Sequence, residues 1–107
     1  MQDKITIGLL NDYYGGILNS HQQEIMRLYF DCDMSLAEIS QELGITRQAV
    51  REVLVRSTAK LNEMEKKLQL MEKLKTVVKR LCEIIDSTED ENTRRELNEL
   101  LRQIREI

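Results

Sequence analysis

The chain has 107 residues, four glycines, no proline and a formal charge of −3. A chain of this size makes one compact domain, or one small domain with a helical appendage, and its wealth of Leu, Glu, Lys, Arg and Gln argues for helix nearly throughout. Two isolated cysteines, Cys32 and Cys82, exclude a disulfide framework and are expected to be reduced; no apolar run approaches a signal sequence or a membrane span, so a cytoplasmic protein without membrane insertion is expected.

The charge is unevenly spread. Residues 1–45 hold two basic and seven acidic side chains, a balance of −5; residues 46–80 hold ten and four, giving +6; residues 81–107 hold four and eight, giving −4. A protein that is acidic overall can still present a basic stripe to a polyanion. Past residue 60 the same lysines also suit the wet face of a long helix.

In chain order, residues 4–18 place Ile5, Leu9, Tyr13 and Ile17 on one helical line, with Leu10, Tyr14 and Leu18 beside it. The Gly15-Gly16 pair costs helix stability there and marks a kink or a close approach. Ser20 and Gln23 have the spacing of a capping box for a second helix, whose buried stripe is Ile25, Leu28 and Tyr29, helped by Met26 and Phe30. His21, in that helix's first turn, reads as a solvated surface residue. Asp31 to Met34 break the pattern and serve as a connector.

The segment from Ser35 to Leu54 is the most informative. Ser35 and Glu38 form another capping-box pair, and Leu36, Ile39, Ser40 and Leu43 follow the i, i+3, i+4, i+7 rule. Gly44 stands where the chain must leave the helix with positive φ, Ile45 can seal the corner against Ile39, and Thr46 can cap the next helix. Ala49, Val50 and Val53 then face inward. Periodicity, corner and caps coincide on a helix-turn-helix. In that motif the start of the second helix enters the major groove, so Arg47, Gln48 and Arg51 are the candidate base readers. Arg56 and Lys60 are the candidate phosphate contacts, and the Thr46 and Ser35 hydroxyls at helix starts are further phosphate-binding candidates. Glu52 beside this face, and the acidity of the first 45 residues, oppose a polyanion; helix-turn-helix units also serve as protein-docking modules.

Beyond Val53 no helix stop is evident for many residues. Leu61, Met64, Leu68, Met71 and Val78 continue one stripe, and Leu70, Leu74, Val77, Leu81 and Ile84 add a second. Asp86 to Asp90 read as a turn, and Leu97, Leu100, Leu101, Ile104 and Ile107 offer a partner stripe, giving an antiparallel helix pair. One such pair covers only part of so broad an apolar face, so a second copy of the chain is expected to cover the rest. Leu68, Met71, Leu74, Val78, Leu81, Ile85, Leu97 and Leu101 are the expected packing and dimerisation residues. Catalysis finds no support: there is no Gly-rich phosphate cradle, no Ser or Cys nucleophile with a histidine base, and no metal-ligand spacing. No enzymatic activity, metal or cofactor is expected.

The run Leu10-Asn11-Asp12-Tyr13-Tyr14-Gly15, Leu18 to Gln22, Leu28-Tyr29-Phe30, Ser35-Leu36-Ala37-Glu38-Ile39-Ser40 and Ile45-Thr46-Arg47-Gln48-Ala49-Val50 resembles the YlxM family of small bacterial helix-turn-helix proteins. The resemblance continues through Lys60-Leu61 and Glu65 to Leu68, about the first 70 residues; the remaining tail is generic. It implies a fold like promoter-reading region 4 of sigma factors. It also implies a regulatory role in the signal recognition particle pathway, because genes of the family lie beside those of the particle protein and its receptor. This chain departs from the family after Val50, where Arg51-Glu52-Val53 replaces Tyr-Asp-Asn and makes the reading face more basic. The expected architecture is therefore all-α: a helix-turn-helix domain over 1–60, then a dimerising extension over 61–107 made of a long helix and an antiparallel pair. The expected ligand is DNA, or the RNA or protein of the signal recognition particle. The alternatives are a sigma region 4-like transcription regulator and a protein-binding adaptor.

Overall fold

The computed structural model describes residues 3–106, and among these the chain is all helix and connector, with no strand. Helix α1 spans Lys4–Tyr14, α2 Ser20–Phe30, α3 Leu36–Leu43, α4 Arg47–Leu68, α5 Leu70–Ser87 and α6 Glu91–Arg105, with a 3₁₀ turn at Gly15–Ile17. The chain divides into two compact units, Met1–Leu68 and Gln69–Ile107.

In the first unit, α1 starts at Asp3, whose carboxylate accepts from the Thr6 N–H at 2.7 Å. The two apolar lines along α1 are not equivalent. Leu10, Tyr14 and Leu18 are buried, whereas Ile5, Leu9 and Ile17, on the other line, are exposed. Neighbouring lines on a helix differ by about 100°, so packing against α2 and α4 can bury only one of them fully. The helix ends at Gly15, where the Asn11 side chain leaves no room for a larger residue: a Cβ on Gly15 would meet Asn11 Oδ1 at 2.7 Å.

The cap of α2 lies one residue earlier than expected. Asn19 accepts from the Gln22 N–H at 2.8 Å and donates its own N–H to Gln22 Oε1 at 3.0 Å, so Ser20 is the first helical residue. Gln23 instead donates to the carbonyls of Gly15 and Leu18, both at 3.1 Å, which ties the 3₁₀ turn to α2. Ile25, Leu28, Ile39 and Val50 then form a core joining α2, α3 and α4, with Tyr29, Leu36, Ile45 and Val53 packed on its edge.

Helix α4 is the longest element, 22 residues or about 33 Å. It does not run on into the following stripe: Gln69 adopts φ 53°, a left-handed conformation, and α5 begins at Leu70. The first unit thus reaches Leu68, past the boundary after residue 60 read from the sequence. Leu61 is fully buried, and the Tyr14 hydroxyl donates to Glu65 Oε1 at 2.5 Å, so the last turns of α4 belong to the packed unit.

The second unit is a pair of helices packed on each other. A three-residue connector, 88–90, joins them, which makes them antiparallel. Asp90 accepts from the Thr93 hydroxyl at 2.6 Å and its N–H at 3.3 Å, and Arg94 donates to the Thr88 carbonyl at 2.5 Å. Val77, Leu81, Leu100 and Ile104 line one shared depression. Leu101 is buried; Met71, Leu74, Val78, Leu81, Ile85 and Leu97 are half-buried; and Val77, Ile84 and Leu100 are exposed, as is Leu68 at the end of the first unit. Ile107, expected on the α6 stripe, lies outside the described residues.

Candidate nucleic-acid interface

The site is built from the corner outward. Ser35 caps α3 by accepting from the Glu38 N–H at 3.1 Å, and the Glu38 carboxylate accepts from the Ser35 N–H at 3.0 Å. These bonds to Ser35 hold the Glu38 carboxyl below its ordinary range, so it stays ionised at the start of α3. An anion already sits there. Ser35, expected as a second phosphate contact, is therefore a poor place for a phosphate.

Gly44 closes α3 with φ 67° and ψ 33°, a conformation that costs glycine nothing and other residues about 1–2 kcal/mol. Its N–H and that of Ile45 both reach the Ser40 carbonyl, the latter at 3.1 Å. Ile45 then lies on the core cluster containing Ile39, and Thr46 Oγ1 accepts from the Ala49 N–H at 3.0 Å to start α4. No acidic residue occupies the first turn of α4, unlike that of α3. Val50, with no exposed surface, fixes the rotation of α4.

With Val50 inward, Thr46, Arg47, Gln48 and Arg51 all reach solvent, and so do Arg56 and Lys60. Neither Arg47 nor Arg51 forms an ion pair among the described residues. At about 100° per residue, Arg51 lies only about 40° round the helix from Arg47, whereas Arg56 lies about 140° beyond Arg51 and Lys60 a further 40° or so. The cations thus form two pairs on opposite flanks of α4. Gln48, Glu52, Val55 and Ala59 make the strip between them. Lys60 also turns toward the body, its Nζ 3.5 Å from the Ile17 carbonyl. Sequence spacing alone puts Arg47 one turn from Arg51 and Arg56 one turn from Lys60. The rotation between the two pairs appears only once Val50 defines the inner face.

A helix lying in a groove between two phosphate backbones meets them on its two flanks and the base edges along its middle. The α4 pattern suits that placement: cation pairs at the sides and Gln48, able to pair bidentately with adenine, in the centre. Glu52 on the same strip repels phosphate and can accept only from a donor such as the cytosine amino group. Among the described residues, no group of three or more His, Cys, Asp or Glu side chains is placed to hold a metal ion, and no helix is long and apolar enough to cross a membrane.

Comparison with known proteins adds to this geometry. A family model described as helix-turn-helix protein, YlxM / p13 like (UPF0122), matches residues 1–104. That match takes in α5 and most of α6, which the resemblance read from the sequence had left out. A UPF0122 protein of Desulforamulus reducens is 42% identical over 86 residues, covering 80% of this chain and 74% of the relative. One from Clostridium novyi is 41% identical over 90 residues, covering 84% and 78%. One from Thermoanaerobacter sp. is 36% identical over 105 residues, covering 98% and 90%.

Proposed function

This chain belongs to the UPF0122 family of helix-turn-helix proteins, YlxM / p13 like, and on that premise we propose that it is a non-enzymatic regulatory protein that binds nucleic acid through α4 and acts in the signal recognition particle pathway. The observation that carries the binding is the outward face of α4 beyond the Gly44 bend, where Arg47 and Arg51 hold no carboxylate and Gln48 stands between them and Arg56. The pathway rests on the family resemblance. A-form RNA closes its deep groove to a helix, so contacts with the particle RNA would be made to backbone and shape.

The second unit supports a dimer. Among the described residues of this 39-residue unit one apolar side chain, Leu101, is well buried while Val77, Ile84 and Leu100 stand in water, and isolated chains below about 40 residues need a partner, a metal or disulfides to be stable. A second helix pair laid on this face would complete a four-helix bundle. Leu100→Asp, at an exposed position, is expected to halve the mass measured by light scattering. A monomeric mass for the unsubstituted protein would refute the dimer.

The decisive experiment measures binding of the full chain to the particle RNA, the particle protein and genomic DNA fragments at two salt concentrations. Binding to a particle component is expected, with steep loss of affinity at higher salt if that component is RNA. Arg47→Ala and Arg51→Ala should each weaken it. Tight binding to one DNA fragment, with none to the particle components, would overturn the pathway and leave a sigma region 4-like transcription regulator.

A further inference from the structure

The first unit carries a second surface, which lies to one side of the α4 strip and shares Arg51, Val55 and Ala59 with it. A groove of about 460 Å³ runs beside α4 from Arg51 to Asn62, closed on its other side by Ile7 of α1, by Tyr29 and Phe30 of α2 and by Leu36 of α3. Its floor is apolar, with Leu54 half-buried and Val55 58% exposed. The twelve residues of α4 from Arg51 to Asn62 make it about 16 Å long, three turns of an occupying helix.

The charge around it is unlike that of the rest of the unit. Residues 1–45 carry seven acidic side chains, yet no carboxylate lines this groove; its charged lining residues are Lys4 and Arg51. Lys4 is anchored at one rim, 2.6 Å from Asp33 and 4.4 Å above the Tyr29 ring, while Arg51, one turn from Arg47, forms no ion pair among the described residues. By contrast, the depression on the other side of α1 is lined by Asp12, Asp31 and Asp33. Apolar walls disfavour a phosphate backbone, and a three-turn length matches the i, i+3, i+4, i+7 anchors of a helix laid in a groove.

We propose that this groove docks an amphipathic helix of a partner protein, its apolar side against Ile7, Leu54 and Val55 and its acidic side chains over Arg51 and Arg47. The proposal does not rest on nucleic-acid binding. It means that the same rod presents one edge to a protein and its outer strip to a polyanion, so that Arg51 is shared between them.

The test uses the full-length protein with labelled Ile, Leu and Val methyl groups. Two synthetic helical peptides of about twelve residues are titrated, with leucines at i, i+3, i+4 and i+7 and either glutamate or lysine elsewhere. The glutamate peptide is expected to shift the Ile7, Leu54 and Val55 methyls saturably and to bind at least tenfold more tightly than its lysine twin. Arg51→Gln should weaken it several-fold, and Val55→Glu should abolish binding without changing helicity, because Val55 is largely in solvent. The proposal is overturned if neither peptide moves these methyls, if the lysine twin binds as well, or if a nucleic-acid duplex shifts them in place of the peptide. Binding of the glutamate peptide to Gln48→Ala, a variant aimed at the nucleic-acid strip, keeps the two readings separable.

Discussion

Replacing Ser57 with alanine should make the protein more stable. Ser57 has no exposed surface, and its Oγ has no hydrogen-bond partner, although it sits in the middle of α4 among the residues that pack the first unit. A hydroxyl taken from water into such a place without a partner costs about 1–3 kcal/mol. Alanine also has the better helix propensity by about 0.5 kcal/mol. Against these stands the gap left by one oxygen, at most about 0.3–0.5 kcal/mol at roughly 24 cal/mol per Å³. The balance is a gain of about 1–3 kcal/mol, at about 4–8 °C in Tm per kcal/mol for a cooperative unit of this size. Thermal and urea melts followed by far-ultraviolet circular dichroism at one fixed protein concentration would measure it, since self-association shifts Tm by mass action. Ser57→Thr is the companion: an extra methyl in a closed space should cost about 1–3 kcal/mol. If Ser57→Ala instead loses about 1 kcal/mol, the hydroxyl is bonded back to the Val53 carbonyl one turn earlier, and the reasoning fails.

Gly44→Val should destabilise the first unit by about 1–2 kcal/mol, all of it backbone strain, because a Cβ there meets nothing within 4 Å while φ is +67°; Gly44→Asn should cost less, and equal melts for the three proteins would refute the left-handed corner. Stability should fall on acidification: hydrogen bonds from Lys4, Ser35, Thr93 and Arg102 hold the carboxyls of Asp33, Glu38, Asp90 and Glu99 below their ordinary values. Such groups contribute stability that is fully present above their unfolded pKa, near 4, and lost as pH falls through the lower folded values. Tm measured across this range should therefore be flat above about pH 5 and drop below about pH 4, and a flat profile down to pH 3 would count against these caps and pairs.

The sequence disclosed the parts of the fold that depend on neighbours a few residues apart. Ser35 with Glu38, the glycine at 44 and Thr46 before α4 each have one locally favoured arrangement, and the structure adopts it. It was less informative where two local solutions compete or where burial decides. Asn19 and Ser20 are both good caps with glutamine three residues on, and the bonds of Gln23 to Gly15 and Leu18 accompany the earlier choice. On α1 the exposed line of Ile5 and Leu9 looked as apolar as the buried one of Leu10 and Tyr14, and only the position of α4 separates them. The break at Gln69 carries no glycine or proline to announce it. The groove beside Arg51 draws its walls from four helices, so no window of sequence contains it.

These cases share one cause in α4. Its sequence repeats with the helical period, but what each residue does depends on the angle at which Val50, Ser57 and Leu61 seat the rod. Once that angle is set, the remaining positions sort into consequences: Leu54 and Thr58 along the groove, Gln48 and Glu52 on the outer strip, Arg56 and Lys60 on the far flank. Arg51 lies at the junction of groove and strip. A charge-removing substitution there should weaken both a docked acidic helix and a bound polyanion, whereas Gln48→Ala should affect only the polyanion and Thr58→Glu chiefly the peptide. Double substitution of Arg51 with either neighbour then reports whether the two ligands compete for one guanidinium. Competition would give this protein a physical means of exchanging a protein partner for a nucleic acid on a single helix.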